Sequence, residues 1–478
     1  MLEDFRLRVF AAVAELGSFT AAARALGVSQ PAISQNIAEL ERFAGGRLFE
    51  RSRGRTGLTE LGRRFLEHAG AILQGYRCLD NAFRIPESIL LKDVLHAGRK
   101  TCILIRDGRF ADLDAPADTP ADCTVEAGGL AILPSFYNTH THAAMTLMRG
   151  MADDLPLHSW IEDKVLPFEA GLTPEGIRLG NDLAVKEMKA TGSTFFADMY
   201  FDPEEGVAAA EAGGLRAAIG ISVMQGHPKA RGELLKDYVK NWKDPGGGRI
   251  QLMIAPHSVY KTSPEQLRSC ADFARRNGLL LSIHLSETRR EVEDCIREHG
   301  TTPVRYLDRL GFLGRDVLAV HCVHVDREEW GILARRGVTV AHCPCSNMKL
   351  GSGRFPYELA LESVCRITLG TDGAASNNSL DLREEMKSAA LLAKLGGDPA
   401  LLPAAEVFRW ATKNGAEFFG IDAGEIAVGK QADALLIDLG SPRMQPCHDL
   451  ISNWVYAADS SVIRHVLCAG RLIHPATR

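Results

Sequence analysis

The stretch Pro134-Ser135-Phe136-Tyr137-Asn138-Thr139-His140-Thr141-His142 decides how this chain is read. The apolar run from Leu130 to Leu133 leads into it. On a strand, residues i and i+2 project from the same side, so His140 and His142 can offer both imidazoles to one metal ion. A His-x-His pair alone is a common accident near a turn. The reading therefore depends on whether further ligands follow, each at a strand end.

Downstream, apolar strands alternate with amphipathic helical stretches, the pattern of repeated βα units. The spacing predicts strands over 131–136, 194–200, 216–224, 250–256, 279–285, 317–323, 338–343 and 366–371. Eight such units make a (β/α)8 barrel, whose chemistry sits at the C-terminal ends of its strands. His140 and His142 stand at the first of those ends, His257 at the fourth, and His284 at the fifth with Glu287 three residues on. His321 stands at the sixth and Asp372 at the eighth. Taken singly, each of these histidines reads most simply as a partly buried structural residue. Seven ionisable side chains at matching ends would each need a partner on burial, and a metal supplies a shared one.

At 478 residues the chain exceeds one hydrophobic core, so two or more domains are expected. A hydrophobic content of 46% with 24% charged residues is that of a globular protein rather than a disordered one. Eleven scattered cysteines and no signal-like segment point to a reducing cytoplasm, and no apolar run is long enough to span a membrane. The net charge of −5 hides an asymmetry: residues 1–84 hold 12 arginines and no lysine against 9 acidic residues, a net +3.

That basic front reads as helical. Leu2, Phe5, Val9, Val13 and Leu16 keep helical spacing up to Gly17, and Ser18 caps a second helix that ends at Gly27. Ser29 caps a third, with Pro31 in its first turn and Ile33, Ile37 and Leu40 as its buried stripe. This leaves Gln30, Ser34 and Gln35 outward. With the hairpin Arg51-Ser52-Arg53-Gly54-Arg55 it has the form of a winged helix-turn-helix. The segments Phe19-Thr20-Ala21-Ala22-Ala23, Val28 to Ser34, Leu48-Phe49-Glu50-Arg51 and Leu58 to Gly62 resemble the DNA-binding domain of LysR-type regulators. The resemblance implies that Gln30, Pro31, Ser34 and Gln35 meet the major groove of double-stranded DNA while Arg51 and Arg53 meet phosphate. Gln35 departs from the arginine common there, which puts base preference in doubt. Phe65, Ala69, Ile72, Tyr76, Leu79 and Phe83 then alternate in steps of 4 and 3, the seam of a short coiled coil, and a homodimer is expected.

The remainder resembles the amidohydrolase superfamily, within it the S-adenosylhomocysteine and 5-methylthioadenosine deaminases. The residues that carry this are Asn138 to His142, Asp154-Leu155-Pro156-Leu157 with Trp160, Ala255 to Ser258, His284 to Thr288, Ala319 to Cys322, Cys345 to Gly351 and Gly370 to Asn378. Gly429 to Asp438 is similar to the C-terminal strands of the same proteins. The fold implied is α/β: a (β/α)8 metal-dependent hydrolase barrel over 136–420, with a small β-sandwich built from 87–135 and 421–478. The winged helix-turn-helix of 1–60 and a linker helix of 61–86 precede it.

The resemblance and the donor chemistry assign the same roles. His140, His142, His284 and Asp372 suit one divalent ion, Zn²⁺ first, with a position left for water. Glu287 serves as proton donor, His321 holds the attacking oxygen, and Asp372 takes the released proton. No lysine stands at the fourth strand end to bridge two metals, so the site is expected to be mononuclear. The cysteines Cys322, Cys343 and Cys345 lack the spacing of the cytidine-deaminase fold and read as small core residues. The resemblance puts Trp160 near a purine, His257 near the ribose and Arg231 near a carboxylate. A second arginine is missing where Ile221 and Ser222 stand, so other amino-heterocycles (guanine, a pterin, a triazine) stay open as substrates. A regulator whose barrel only senses a ligand is the alternative to a working deaminase.

Overall fold

Three helices and a hairpin account for the basic head: α1 (Phe5–Leu16), α2 (Phe19–Leu26), α3 (Gln30–Ala44), and strands Phe49–Ser52 and Arg55–Leu58 paired antiparallel. The side chains of Asp4, Ser18 and Ser29 accept N–H bonds from the first turns of the three helices, and Gly17, Gly27 and Gly45 end them with φ of 58°, 65° and 71°. Val9, Phe10, Val13, Ile33, Ile37 and Leu40 form the core of this unit. Gln30, Pro31 and Gln35 are exposed and Ser34 is half-buried, so the face that would meet DNA is free of packing. The fourth helix, α4 (Glu60–Phe83), differs from a plain coiled-coil seam at its start. Phe65 and Ala69 are taken into the head's own core, and Ile72 is the first seam position that stands exposed. In this computed structural model the described residues are 4–52, 55–83, 86–226 and 235–475. Arg53, and the side chains of Arg51, Tyr76, Leu79 and Phe83, lie outside what is described. The chain divides into two units, Met1–Pro86 and Glu87–Arg478.

In the second unit eight parallel strands follow one another around a barrel: β1 (Phe136–His142), β2 (Ser193–Tyr200), β3 (Arg216–Val223), β4 (Ile250–Pro256), β5 (Leu280–Leu285), β6 (Val317–His321), β7 (Thr339–His342) and β8 (Arg366–Leu369). Nearly every strand residue is buried, because helices cover the outside and side chains fill the inside. The ring is closed by the two residues Asp372–Gly373, which pair with Thr141 and His142 of β1.

The first strand is not where the sequence pattern placed it. Residues 130–134 form a strand, but one that pairs antiparallel with Ala434–Asp438 outside the barrel. The barrel strand begins at Phe136, so His140 and His142 lie within it rather than after it. The apolar run is equally suited to either sheet, and Ser135 is where the chain passes from one to the other. Strands from 88–134 and from 434–475 make one mixed eight-stranded sheet. It curls over an apolar cluster that includes Ile89, Ile103, Phe110, Ile132 and Leu436, and Arg109 of one edge bridges back to Gln431.

A buried polar triad ties this sheet to the barrel. Arg216 at the start of β3 donates to Asp433 at 2.7 Å, and the Tyr137 hydroxyl of β1 donates to the same carboxylate at 2.5 Å. The side chains of Arg216 and Asp433 are 3% and 0% exposed. Removing one member would leave a buried charge without a partner, so Asp433→Ala should lower unfolding free energy by about 3–5 kcal/mol. Urea unfolding checks this, and a loss under about 1 kcal/mol would mean the triad is not what joins the two sheets.

Candidate active site

Two strands four apart around the barrel meet the closing pair at one point. His140 Nε2 lies 3.3 Å from His284 Nε2 and 3.3 Å from Asp372 Oδ1, and His142 Nε2 lies 3.2 Å from the same oxygen. All four groups are nine-tenths buried or more at the residue level. Donors at the corners of a tetrahedron with bonds of 2.0–2.1 Å stand about 3.3 Å from one another. These three separations match that spacing; His140, His142 and Asp372 make one close group of donors and His140, His284 and His321 another, with His140 common to both.

Tautomers agree with this. His142 donates from Nδ1 to the Met199 carbonyl at 2.6 Å, and His284 donates from Nδ1 to the His257 carbonyl at 2.9 Å. His284 therefore turns the lone pair of Nε2 inward, as metal-binding imidazoles do, whereas His142, despite its burial, is raised to about 9 by Asp372 at its Nε2 and carries there a proton that a bound cation would displace. Burial, with the neighbouring imidazoles adding to it, holds His284 well below its ordinary pKa, so it stays neutral. Burial would raise the Asp372 carboxyl, but hydrogen bonds from His140 and His142 outweigh it and hold the group well below the carboxylate range. The histidines gathered about His140, together with Asp372, are thus a cluster of donors suited to a divalent cation. The residues present fit such an ion.

Asp372 is also held from its other side. Ser346 and Ser376 both donate to its Oδ2, at 2.6 and 2.9 Å. Its backbone has φ of 61°, and His321 and Ser286 at the ends of β6 and β5 have φ of 71° and 50°. Such left-handed residues cost about 1–3 kcal/mol each and persist only where their surroundings over-determine them.

Glu287 and His321 face the same space. Their nearest atoms are 3.6 Å apart, Ser352 donates to Glu287 at 3.1 Å, and His321 donates from Nδ1 to Asn347 Oδ1 at 2.9 Å. Burial raises the Glu287 carboxyl despite the opposing effect of His321, which favours the protonated acid. A cavity lies beside them. Trp160, Met199, Tyr200, Phe201, Met224 and Tyr260 make much of its wall, and His257 stands in it next to His284. The Trp160 indole N–H is buried there without a partner among the described residues.

Of the residues singled out by sequence, His140, His142, His257, His284, Glu287, His321, Asp372 and Trp160 come together around this cavity. Arg231 lies outside the described residues. Sequence reasoning gave no role to Glu169, a 3%-exposed carboxylate in the cavity wall, because no motif surrounds it. Ser346 and Asn347 lie inside a recognised motif, but their targets Asp372 and His321 are visible only in space.

Similarity to known proteins agrees with this geometry. Residues 131–473 match the amidohydrolase family. The chain belongs to that family. Residues 5–63 match the bacterial regulatory helix-turn-helix proteins of the lysR family. The amidohydrolase part is similar to a 5-methylthioadenosine/S-adenosylhomocysteine deaminase of Pelotomaculum thermopropionicum, with 45% identity over 355 residues, 73% of this chain and 82% of that one. A 5'-deoxyadenosine deaminase of Methanosarcina mazei is 42% identical over 78% of this chain and 88% of its own length. Among solved structures, a zinc-bound adenosine deaminase from Xanthomonas campestris superposes with a TM-score of 0.75 at 33% identity, covering 80% of this chain and 92% of that one.

Glu291 shows how this amidohydrolase site is supported. Its carboxylate accepts the backbone N–H groups of Ser286 and Glu287, both at 2.8 Å. Burial raises its pKa from 4.5 to about 8, with those two bonds opposing. A raised acid contributes stability that is fully present below pH 4.5 and is lost as pH climbs through about 8. Unfolding free energies of the parent should therefore fall between about pH 5 and about pH 8, and by less in Glu291→Gln. Equal pH slopes in the two proteins would count against a raised Glu291.

Proposed function

We propose that the barrel is a mononuclear metal-dependent deaminase of purine nucleosides, replacing the ring amino group of an adenosine that carries a neutral 5′ substituent. The observation that supports this most is the opposition, across one cavity, of the His140, His142, His284 and Asp372 donors and the Glu287 carboxyl, which burial raises. Those four residues would hold one divalent ion, zinc by donor type. When bound, such an ion supplies a water of pKa near 7, down from about 15.7.

The chain's own residues do the rest. Glu287 gives its proton to the ring nitrogen beside the amino-bearing carbon, making that carbon electrophilic. The attacking water loses a proton to Asp372, and His321 Nε2 fixes the oxygen as it bonds to carbon. The C–N bond then breaks, the amine leaves as ammonia carrying the proton that Asp372 took, and the proton left on the new oxygen passes to the Glu287 carboxylate, giving the ring carbonyl and restoring the acid. Trp160 lies against the ring plane, and His257 and Glu169 are placed to meet ribose hydroxyls. The second arginine that would grip an amino-acid carboxylate is missing where Ile221 and Ser222 stand, which favours a neutral 5′ group. The two curated relatives act, by their names, on adenosines modified at that position.

For the head we propose binding of double-stranded DNA as a homodimer. Gln30, Pro31, Ser34 and Gln35 would enter the major groove, and Arg51 and Arg53 would contact phosphate. The reading supported by this pairing of activities is a cytoplasmic enzyme that also binds DNA; no helix among the described residues is long and apolar enough to cross a membrane.

Purified protein loaded with Zn²⁺ should release ammonia from 5'-deoxyadenosine and methylthioadenosine, and Glu287→Gln should cut kcat by about 10²–10⁴-fold. A zinc-loaded protein that leaves every adenosine analogue unchanged would overturn the nucleoside reading. In gel shifts, the full chain should retain DNA from upstream of its own gene more tightly than random DNA, with affinity falling steeply as salt rises. Equal retention of both would remove the regulatory reading.

A further inference from the structure

Asp372 and His321 are held by two different loops, and one buried side chain outside the cavity joins those loops. The loop after β7 begins α5 (Pro344–Lys349), whose Ser346 donates to Asp372 and whose Asn347 accepts from His321. The loop after β8 carries Asp372 itself, then Ser376, which donates to it, and Asn377. Helix α6 (Leu382–Lys394) places Glu385 behind both. Glu385 Oε2 accepts the backbone N–H of Cys345 at 3.0 Å, and Oε1 accepts the Asn377 amide at 2.7 Å. The same Asn377 amide donates at 2.8 Å to the carbonyl of Thr371, the residue before Asp372.

Glu385 is wholly buried, and among the described residues none of its bonds is to a cation, so it is not an ion-pair partner. A buried carboxyl costs free energy unless it is bonded, and an apolar side chain would pack here without that cost. What Glu385 supplies instead is two acceptor oxygens in fixed relation, one for each loop. We propose that Glu385 is a positioning residue for the metal-dependent reaction. By clamping Cys345 and Asn377, it sets the placement of Ser346 and Ser376 on Asp372, and of Asn347 on His321. The strained backbone at Asp372, with φ of 61°, makes this placement necessary: without a clamp the loop has a less strained conformation to relax into. The deamination part of this inference rests on the function proposed above, but the metal part does not.

Glu385→Gln is the test. It keeps the shape but replaces one acceptor with an N–H, which then opposes either Cys345 N–H or the Asn377 amide. Outer residues of this kind typically tune affinity or activity by about 10–100-fold. The variant should therefore lose about 10-fold or more in Zn²⁺ affinity by chelator competition, and about 10–100-fold in kcat with KM within about 3-fold. The visible spectrum of the Co²⁺-loaded variant should differ from the parent's. Asn377→Ala should reproduce these effects, and the double variant should be no worse than the worse single one, because both break one linkage. Glu384→Gln, exposed on the same helix, should match the parent. Folded Glu385→Gln and Asn377→Ala proteins with parental zinc affinity, cobalt spectrum and kcat would overturn the proposal; should the first not fold, the second decides alone. If the parent deaminates nothing, zinc affinity and the cobalt spectrum still separate a clamp from a residue that only packs.

Discussion

Two residues close the barrel. Asp372 and Gly373 pair with Thr141 and His142, and this short ladder sets the carboxylate of the last strand beside the imidazoles of the first. The chain needs a left-handed turn at Asp372 to reach that register, after β8 has already ended at Leu369. Asn138 holds the turn from the β1 side, exchanging two bonds with Thr371 at 2.8 and 3.0 Å. Closure of the sheet and assembly of the donor set are thus one event, and a barrel that failed to close would have no site.

Around that point, burial does different work on different groups. It holds His284 well below its ordinary range, so that it offers a lone pair, and it raises the Glu287 carboxyl, which favours the form that can give a proton. Asp372 stays ionised in the same surroundings because imidazole N–H bonds oppose desolvation. A base-like site and an acid therefore sit in one cavity without neutralising each other. The supports behind them are carboxyls too, Glu291 under β5 and Glu385 under β7 and β8. Both accept backbone or amide N–H groups, and among the described residues neither has a cation as partner.

Much of this was legible in the residues. The βα alternation, the strand-end histidines and Asp372 led to the barrel and to a cluster of histidines and a carboxylate suited to a metal, because ligand chemistry restricts those positions to few residue types. The capped helices and the Gly-terminated turns of the head were equally readable, since capping is a local interaction. The boundary of the first barrel strand was not. Leu130 to Leu133 is apolar enough for either sheet, and only its pairing with Ala434–Asp438, some 300 residues away in sequence, takes it out of the barrel. Glu169 was missed for a related reason: a carboxylate in a helical stretch looks solvated until the fold buries it.

By itself, then, the sequence determined the fold class, the division into a helical head and a barrel, and which side chains could bind metal or carry a proton. These follow from periodicity, local capping and donor chemistry, all of which act over a few residues or depend on residue type. The tertiary structure decided which strand pairs with which and which carboxyls are raised and which lowered. It also decided which second residues hold Asp372 and His321. Those depend on burial and on contacts between segments remote in the chain, and neither quantity exists until the barrel has closed.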